Sequence, residues 1–188
     1  MKLTASTAEP AIPGYEAATW NIDPVHSEVG FSVRHMMVSK VRGRFTSFSG
    51  QIVTAEDLLK STVTAEIDLK SISTGQEQRD AHIRSADFFE VETYPTMTYT
   101  AAGISVVDGE YVLDGELTLK GVTRSVPLRL ELNGFGPDAY GGVRAGFTAT
   151  GELNRRDFNV NFNAPLQNGG VVVADKIELH LEIEAVKA

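Results

Sequence analysis

Residues 177–184 read Ile-Glu-Leu-His-Leu-Glu-Ile-Glu. In an extended chain this puts Ile177, Leu179, Leu181 and Ile183 on one face and Glu178, His180, Glu182 and Glu184 on the other. A helix would throw the four aliphatics onto opposite sides of its axis, so the stretch is a strand with one apolar and one wet face. The same period recurs upstream. Val29, Phe31 and Val33 alternate with small residues, and Val63, Ala65, Ile67 and Leu69 alternate with Thr and acidic residues. Met97, Tyr99 and Ala101 interleave with threonines, and Leu113, Leu117 and Leu119 keep the phase. Val126, Leu128, Leu130 and Leu132 follow, then Val143, Ala145, Phe147, Ala149 and Leu153. Turn signals punctuate these runs at Asp108-Gly109, Gly134-Phe135-Gly136-Pro137, Gly141-Gly142 and Asn168-Gly169-Gly170, and Asp114-Gly115 reads as a bulge or bend inside a strand. The pattern describes an all-β chain of roughly eight strands in an antiparallel meander, and such strands must either stack as two sheets or close into a barrel.

One region breaks the period. Thr74 to Ser85 is polar and rich in helix formers, with Thr74 and Glu77 spaced as a capping box. Ala86-Asp87-Phe88-Phe89 reads as a further short helical turn, and Arg34 to Val38 as another. These pieces are expected to plug or lid one end of the β structure.

The chain has 188 residues, 42% of them hydrophobic and 22% charged, which suits one soluble globular domain. A formal net charge of −8 repels phosphate backbones, so no nucleic-acid partner is expected, and peripheral docking on anionic lipid is disfavoured for the same reason. With no cysteine there is no disulfide, thiolate ligand or Cys nucleophile. Residues 1–18 carry no apolar run of the ~7–15 residues that a signal core needs, and Pro10, Pro13 and Gly14 interrupt them. They read as a flexible N-terminal arm before a domain spanning 19–188, in a protein expected in the cytoplasm with no integral membrane segment.

The apolar inventory carries the functional expectation. Large residues (Phe31, Met36, Met37, Phe45, Phe48, Phe89, Met97, Tyr99, Phe147, Phe158 and Phe162) and the aliphatics Val33, Leu117, Leu119 and Leu153 are placed by alternation or neighbourhood at the interior or its mouth. Small residues such as Ala65, Ala101, Gly115, Ala145 and Ala149 are interspersed, and that mixture can leave room inside a closed sheet. Any one Phe serves equally well as core packing. The four histidines form no H-E-x-x-H or close pair, so no metal site is assigned, and His26 reads as fixing a turn. There is no G-x-S-x-G elbow or dinucleotide glycine motif, and Arg79-Asp80 and Arg155-Arg156-Asp157 read as ion pairs or helix-end contacts. No catalytic residue and no cofactor is assigned.

Five ordered segments then resemble one family. Trp20 to Phe45 (WNIDPVHSEVGFSVRHMMVSKVRGRF) resembles the opening of YceI-like proteins, with D-x-x-H-S, V-R-H and V-x-G-x-F. Ile67 to Tyr99 resembles their S-I-x-T-G, R-D-x-H-[LI]-x-S-x-D-F-F and Y-P run, and Gly115 to Leu130 their G-x-L-T-[IL]-x-G-V-T-x-x-V. Asn154 to Val160 is similar to the R-x-D-[FW]-[GN] segment, with Asn159 where many members have Gly, and the closing strand also matches. The resemblance implies an extended eight-stranded, lipocalin-like barrel with a short helix over one end, and a tunnel for the isoprenoid tail of a polyprenyl compound or quinone. It also implies a homodimer. Sequestration of another hydrophobic small molecule, and a cyclase or isomerase using the cavity, are the competing readings.

Overall fold

A computed structural model describes residues 12–188. The strands are β1 (Ala18–Ile22), β2 (Glu28–His35), β3 (Ser39–Phe45), β4 (Phe48–Thr54), β5 (Thr62–Asp68) and β6 (Ile72–Ser73). The only α-helix among the described residues, α1 (Glu77–Arg84), separates them from β7 (Thr96–Val107), β8 (Glu110–Leu119), β9 (Val122–Ser125), β10 (Leu128–Pro137), β11 (Val143–Asn154) and β12 (Val173–Lys187). Pairing runs β1-β4-β5-β7-β8-β10-β11-β12 and returns from β12 to β1, every contact antiparallel. The sheet is a closed eight-stranded barrel.

Twelve segments fill eight positions because four staves are broken. β1 and β2 lie end to end along β12, with Trp20 opposite Lys187 and Phe31 opposite Leu179. β3 and β4 lie end to end along β2 and β1, and β5 and β6 along β4 and β3. β9 and β10 both pair with β8, parted by Val126-Pro127, where proline removes a ladder donor. The β3–β4 break is tied down by Ser71, whose Oγ accepts from the Thr46 and Ser47 amides at 3.1 and 3.0 Å. A 3₁₀ turn at Leu69–Ser71, capped by the Asp68 carboxylate, separates β5 from β6.

β6 pairs only with β3, so α1 and the turns after it close the barrel beyond that edge. Arg84 fastens the helix by donating from Nε to the Lys70 carbonyl and from Nη2 to that of Ile72. The helix cap differs from expectation. Gln76, not Thr74, is the N-cap, its side chain accepting from the Arg79 amide. Thr74 is instead held by Asp80, which accepts from its amide and hydroxyl, and by Arg79, which donates to its hydroxyl and carbonyl. Ala86–Phe89 is a run of turns, not helix.

The opposite end is solid. Trp20 is fully buried with Ile52, Ala145, Phe147 and Ala185, and its Nε1 donates to Thr54 Oγ1 at 2.8 Å. Phe135 sits edge-on to Tyr15, Trp20 and Phe147, with centroids 5.3, 5.6 and 5.8 Å apart, a favoured aromatic geometry. Gly134–Pro137 is therefore a correction: it is the end of β10, entered through a register shift after Leu132, rather than a turn. The turn comes at residues 138–142. Within the segment read as an arm, Ile12 and Tyr15 pack on the barrel core, Tyr15 donates to the Ala55 carbonyl, and Ala18 opens β1. Residues 1–11 lie outside the described residues.

Arg34–Val38 is also a correction, because β2 runs to His35 and the chain then reverses in a tight turn, with Val38 N–H bonded to the His35 carbonyl. Met36 and Met37 both have positive φ, 49° and 62°. Among the described residues there are two other turns of this kind, Asp108-Gly109 and Lys120-Gly121, and each has the expected glycine second.

Gly115 is not bulged. It is a regular β8 residue opposite Ala101, and the register shift lies across the ladder in β7 between Ala101 and Ile104. Its missing side chain has another cause: the Tyr99 ring lies over it, so that a Cβ at 115 would fall 2.0 Å from the phenol oxygen. Tyr99 has little freedom to retreat, since its hydroxyl donates to the buried Val126 carbonyl at 2.9 Å. Gly115→Ala is expected to destabilise the fold by about 1–3 kcal/mol through overpacking, read as a lower denaturant midpoint at unchanged slope.

Candidate ligand-binding cavity

The inward faces of the eight staves do not meet. They enclose one cavity of about 770 Å³ along the barrel axis, in the size range of pockets that take a drug-sized molecule. β12 contributes Ile177, Leu179, Leu181 and Ile183 in succession, about 20 Å of strand at the usual ~3.3 Å per residue. Across the barrel, Val63, Ala65 and Ile67 of β5 and Leu113, Leu117 and Leu119 of β8 complete the wall. Such an apolar surface offers a guest hydrocarbon contact and few hydrogen bonds.

Twelve of the fifteen residues expected at the interior or mouth line this cavity. Phe31, Val33, Phe45 and Phe48 come from β2, β3 and β4; Phe89 and Phe162 lie near the mouth. Met97, Tyr99, Leu117, Leu119, Phe147 and Leu153 come from β7, β8 and β11. Three do not line it. Met36 and Met37 are corrections: their left-handed backbone turns them out of the strand, and they are 44% and 56% exposed. Phe158 is a correction in the other sense, buried in a 3₁₀ turn (Arg155–Phe158) as part of the core packing.

Sequence reasoning left out much of the wall. Ile177 to Ile183 and Leu128, Leu130 and Leu132 had the right alternation but no aromatic or sulfur to single them out. At the mouth the lining turns polar. Arg34 and His35 end β2, Gln76, Gln78, Arg79 and His82 belong to the α1 region, and the uncharged loop 161–172 contributes Phe162 and Ala164. His82 accepts an edge-on Phe162 ring at 4.9 Å and bonds Asp87 at 2.7 Å. Inside, burial pushes the Tyr99 phenol well above its ordinary range, with the Asp114 charge adding to the effect, so it remains a neutral donor.

The comparisons with known proteins agree with this geometry. The sequence pattern described as the YceI-like domain matches residues 20–185. This chain belongs to the YceI-like family. A UPF0312 protein of Staphylococcus epidermidis is 36% identical over 167 residues, covering 88% of this chain and 95% of that one. Among solved structures, BcnA of Burkholderia cenocepacia superposes with a TM-score of 0.73 at 23% identity, covering 87% of this chain and 98% of its own. A domain from Saccharophagus degradans described as polyisoprenoid binding superposes with a TM-score of 0.65 at 18% identity, covering 92% of this chain and all of its own. At those identities the two structures speak for the fold.

Two of the YceI-like motifs sit at opposite ends of the barrel. In D-x-x-H-S, Asp23 bonds His26 at 2.7 Å across the β1–β2 corner, and Ser27 both accepts from the Glu184 amide and donates to its carbonyl. Arg144 then binds Asp23 at 2.8 Å, Glu184 at 2.5 Å and Asp138 at 3.2 Å. Asp23, His26 and Glu184 hold ligand atoms within 4.8 Å of one another, but the guanidinium already lies between the two carboxylates, where a cation would have to go. In the R-x-D-[FW] motif, Arg155 is buried and donates to the carbonyls of Val160, Val173 and Ala174, stitching the mouth loop to the start of β12. Asn159, where many members have Gly, is left-handed (φ 59°), and Asn tolerates that conformation far better than a branched residue.

The Arg144 clasp has a pH consequence. Hydrogen bonds from His26 and then Arg144 hold the Asp23 carboxyl far below its ordinary 3.8. Those from the Gly142 and Tyr140 amides, then Arg144, lower Asp138. Both groups bind protons less readily folded than unfolded, so their stabilisation is complete above about pH 4 and is lost as pH falls through the folded values. Denaturant midpoints are expected to drop between about pH 4 and pH 2, and Arg144→Gln should lower the neutral midpoint while flattening that acid slope.

Proposed function

We propose that this protein binds and carries, or stores, a long apolar molecule of isoprenoid type, a polyprenyl compound or quinone tail, inside the barrel. The observation that carries the reading is the continuous aliphatic cavity of about 770 Å³, solid at the Trp20 end and polar-rimmed at the α1 end. The polyisoprenoid-binding description of the Saccharophagus degradans domain, which has the same fold, supports the choice of ligand class. A homodimer, implied by the family resemblance, belongs to the same proposal.

The energetics favour the tail over the head. Each buried CH₂ contributes about 0.8 kcal/mol, so a five-carbon prenyl unit gains on the order of 3–4 kcal/mol before the cost of ordering its rotors. A hydrogen bond from Gln76, Gln78 or Arg79 at the rim nets only about 1 kcal/mol. Tail length therefore sets affinity until the cavity is full, and the headgroup tunes selectivity. The bound molecule is released unchanged; recovery of a product different from the bound species would favour the cyclase or isomerase reading instead.

In a series of prenyl alcohols of rising length, affinity should climb steeply per unit and then level off, as read by displacement of a fluorescent lipid. A flat response would point to a compact hydrophobic molecule. Ala149 faces the cavity between Leu130 and Leu181, so Ala149→Phe should fill that space, leave the fold intact and weaken tail binding by roughly tenfold or more. Native mass spectrometry of the purified protein would identify what it retains.

A further inference from the structure

The charge of this chain is unevenly spread, and the exception sits beside the cavity mouth. Its 25 acidic residues outnumber its 17 Lys and Arg, yet residues 29–55 contain no Asp or Glu. Arg34, Lys40, Arg42 and Arg44 fall within that stretch, all exposed on the β2–β3 hairpin. Phe31 and Val33 face the cavity, so the alternation sends Lys40, Arg42 and Arg44 to the outer face, while Arg34, at the end of β2, stands at the rim of the mouth itself. Lys40 is bound by Glu178 of the neighbouring strand; among the described residues Arg34, Arg42 and Arg44 make no ion pair. The acids of α1 and of the turn after it are already engaged, Glu77 by Arg84, Asp80 by Thr74 and Asp87 by His82.

The hairpin tip adds an apolar point. Met36, Met37 and Val38 are 44%, 56% and 83% exposed, three consecutive large apolar residues in water. The turn itself does not call for them: two successive left-handed residues favour Asn-Gly, and the chain's other turns of this kind use glycine. The tip leans on the mouth loop. Met36 N–H donates to the Val172 carbonyl, and the Met37 side chain and Leu166 both approach Gly170. Residues 158–174 carry no charge at all. The rim thus combines an apolar tip, an uncharged loop and flanking cations, the composition of a surface that inserts shallowly among lipid headgroups.

We propose that this rim docks the protein on an anionic lipid bilayer, with Met36, Met37 and Val38 inserted at the headgroup boundary and Arg34, Arg42 and Arg44 facing lipid phosphates. Net charge opposes approach at long range, but screening confines that repulsion to about 10 Å, inside which the local cations dominate. Docked this way, the mouth opens onto the membrane, and an apolar guest of the kind proposed above would pass between bilayer and barrel without crossing water. The docking itself does not depend on what the cavity holds.

The test is cosedimentation of the full chain with vesicles free of isoprenoid, made either of phosphatidylcholine alone or of equal parts phosphatidylcholine and phosphatidylglycerol. The protein should pellet with the anionic vesicles, weakly with the neutral ones, and less as salt rises. Arg42→Gln with Arg44→Gln should reduce partitioning by roughly fivefold per cation removed. Met36→Asn with Met37→Gly should reduce it by roughly tenfold while melting no lower than the parent, since the turn gains its preferred residues. Failure of the parent to pellet with anionic vesicles at about 0.1 M salt, where the screening length is about 10 Å, would overturn the proposal, as would full binding by the folded Asn-Gly variant. A dimer converted to monomer by that variant, with no vesicle binding by the parent, would assign the rim to a second copy instead. Loss of tail binding with vesicle binding retained would leave this proposal standing and remove the one before it.

Discussion

Closure of the sheet through β12 is the constraint on which the rest of this structure depends. Its fifteen residues pair with β11 along one edge and with both β1 and β2 along the other, so the first and last strands share one hydrogen-bonded seam. The closed ring pairs the eight staves on both sides, leaving the short segments β6 and β9 with an unpaired edge. It also fixes the diameter: eight strands give an interior at the margin between filled by side chains and able to hold a guest. Which of the two results depends on side-chain size along each stave. Ala65 and Ala149 keep this interior open, whereas Trp20, Phe135 and Phe147 fill one end.

The two ends are built from different chemistry. At the Trp20 end, aromatic packing inside is matched by the Arg144 clasp outside, where one guanidinium gathers three carboxylates from three segments of the chain. A fork with several donors suits that task in a way an ammonium would not. At the mouth the backbone is irregular, and Arg155 satisfies three of its carbonyls at once. A rigid floor and a mouth of loops and one short helix are what a container needs if something is to move through only one end.

Several details were readable from residues alone. The alternation phase of β7, β8 and β11 put Met97, Tyr99, Leu117, Leu119, Phe147 and Leu153 on the inner face, where they line the cavity, because period two is a property of the extended backbone. His26 fixing a turn and His180 pointing outward follow from the same local rules. Errors arose where one residue's backbone departed from its neighbours. Met36 and Met37 continue an apolar pattern in the sequence, but left-handed dihedrals carry them out of it. Gly134 and Gly136 look like a turn, yet β11 supplies them with a partner strand. Thr74 has the spacing of a cap, and Asp80 and Arg79 claim it for a different contact.

By itself, then, the sequence determined that the chain is a meander of two-faced strands with one helical interruption, and through its motifs which family it resembles. Those are consequences of local periodicity and of residue identity in order. Closure of the sheet around a tunnel was implied by the resemblance; which residues line that tunnel, that one end is sealed and the other rimmed, and that the cations of β2 and β3 stand beside that rim are visible in the folded chain alone. Each of these depends on distances between segments remote in the chain, such as the seam joining residue 20 to residue 187, and no local pattern encodes a distance across a barrel.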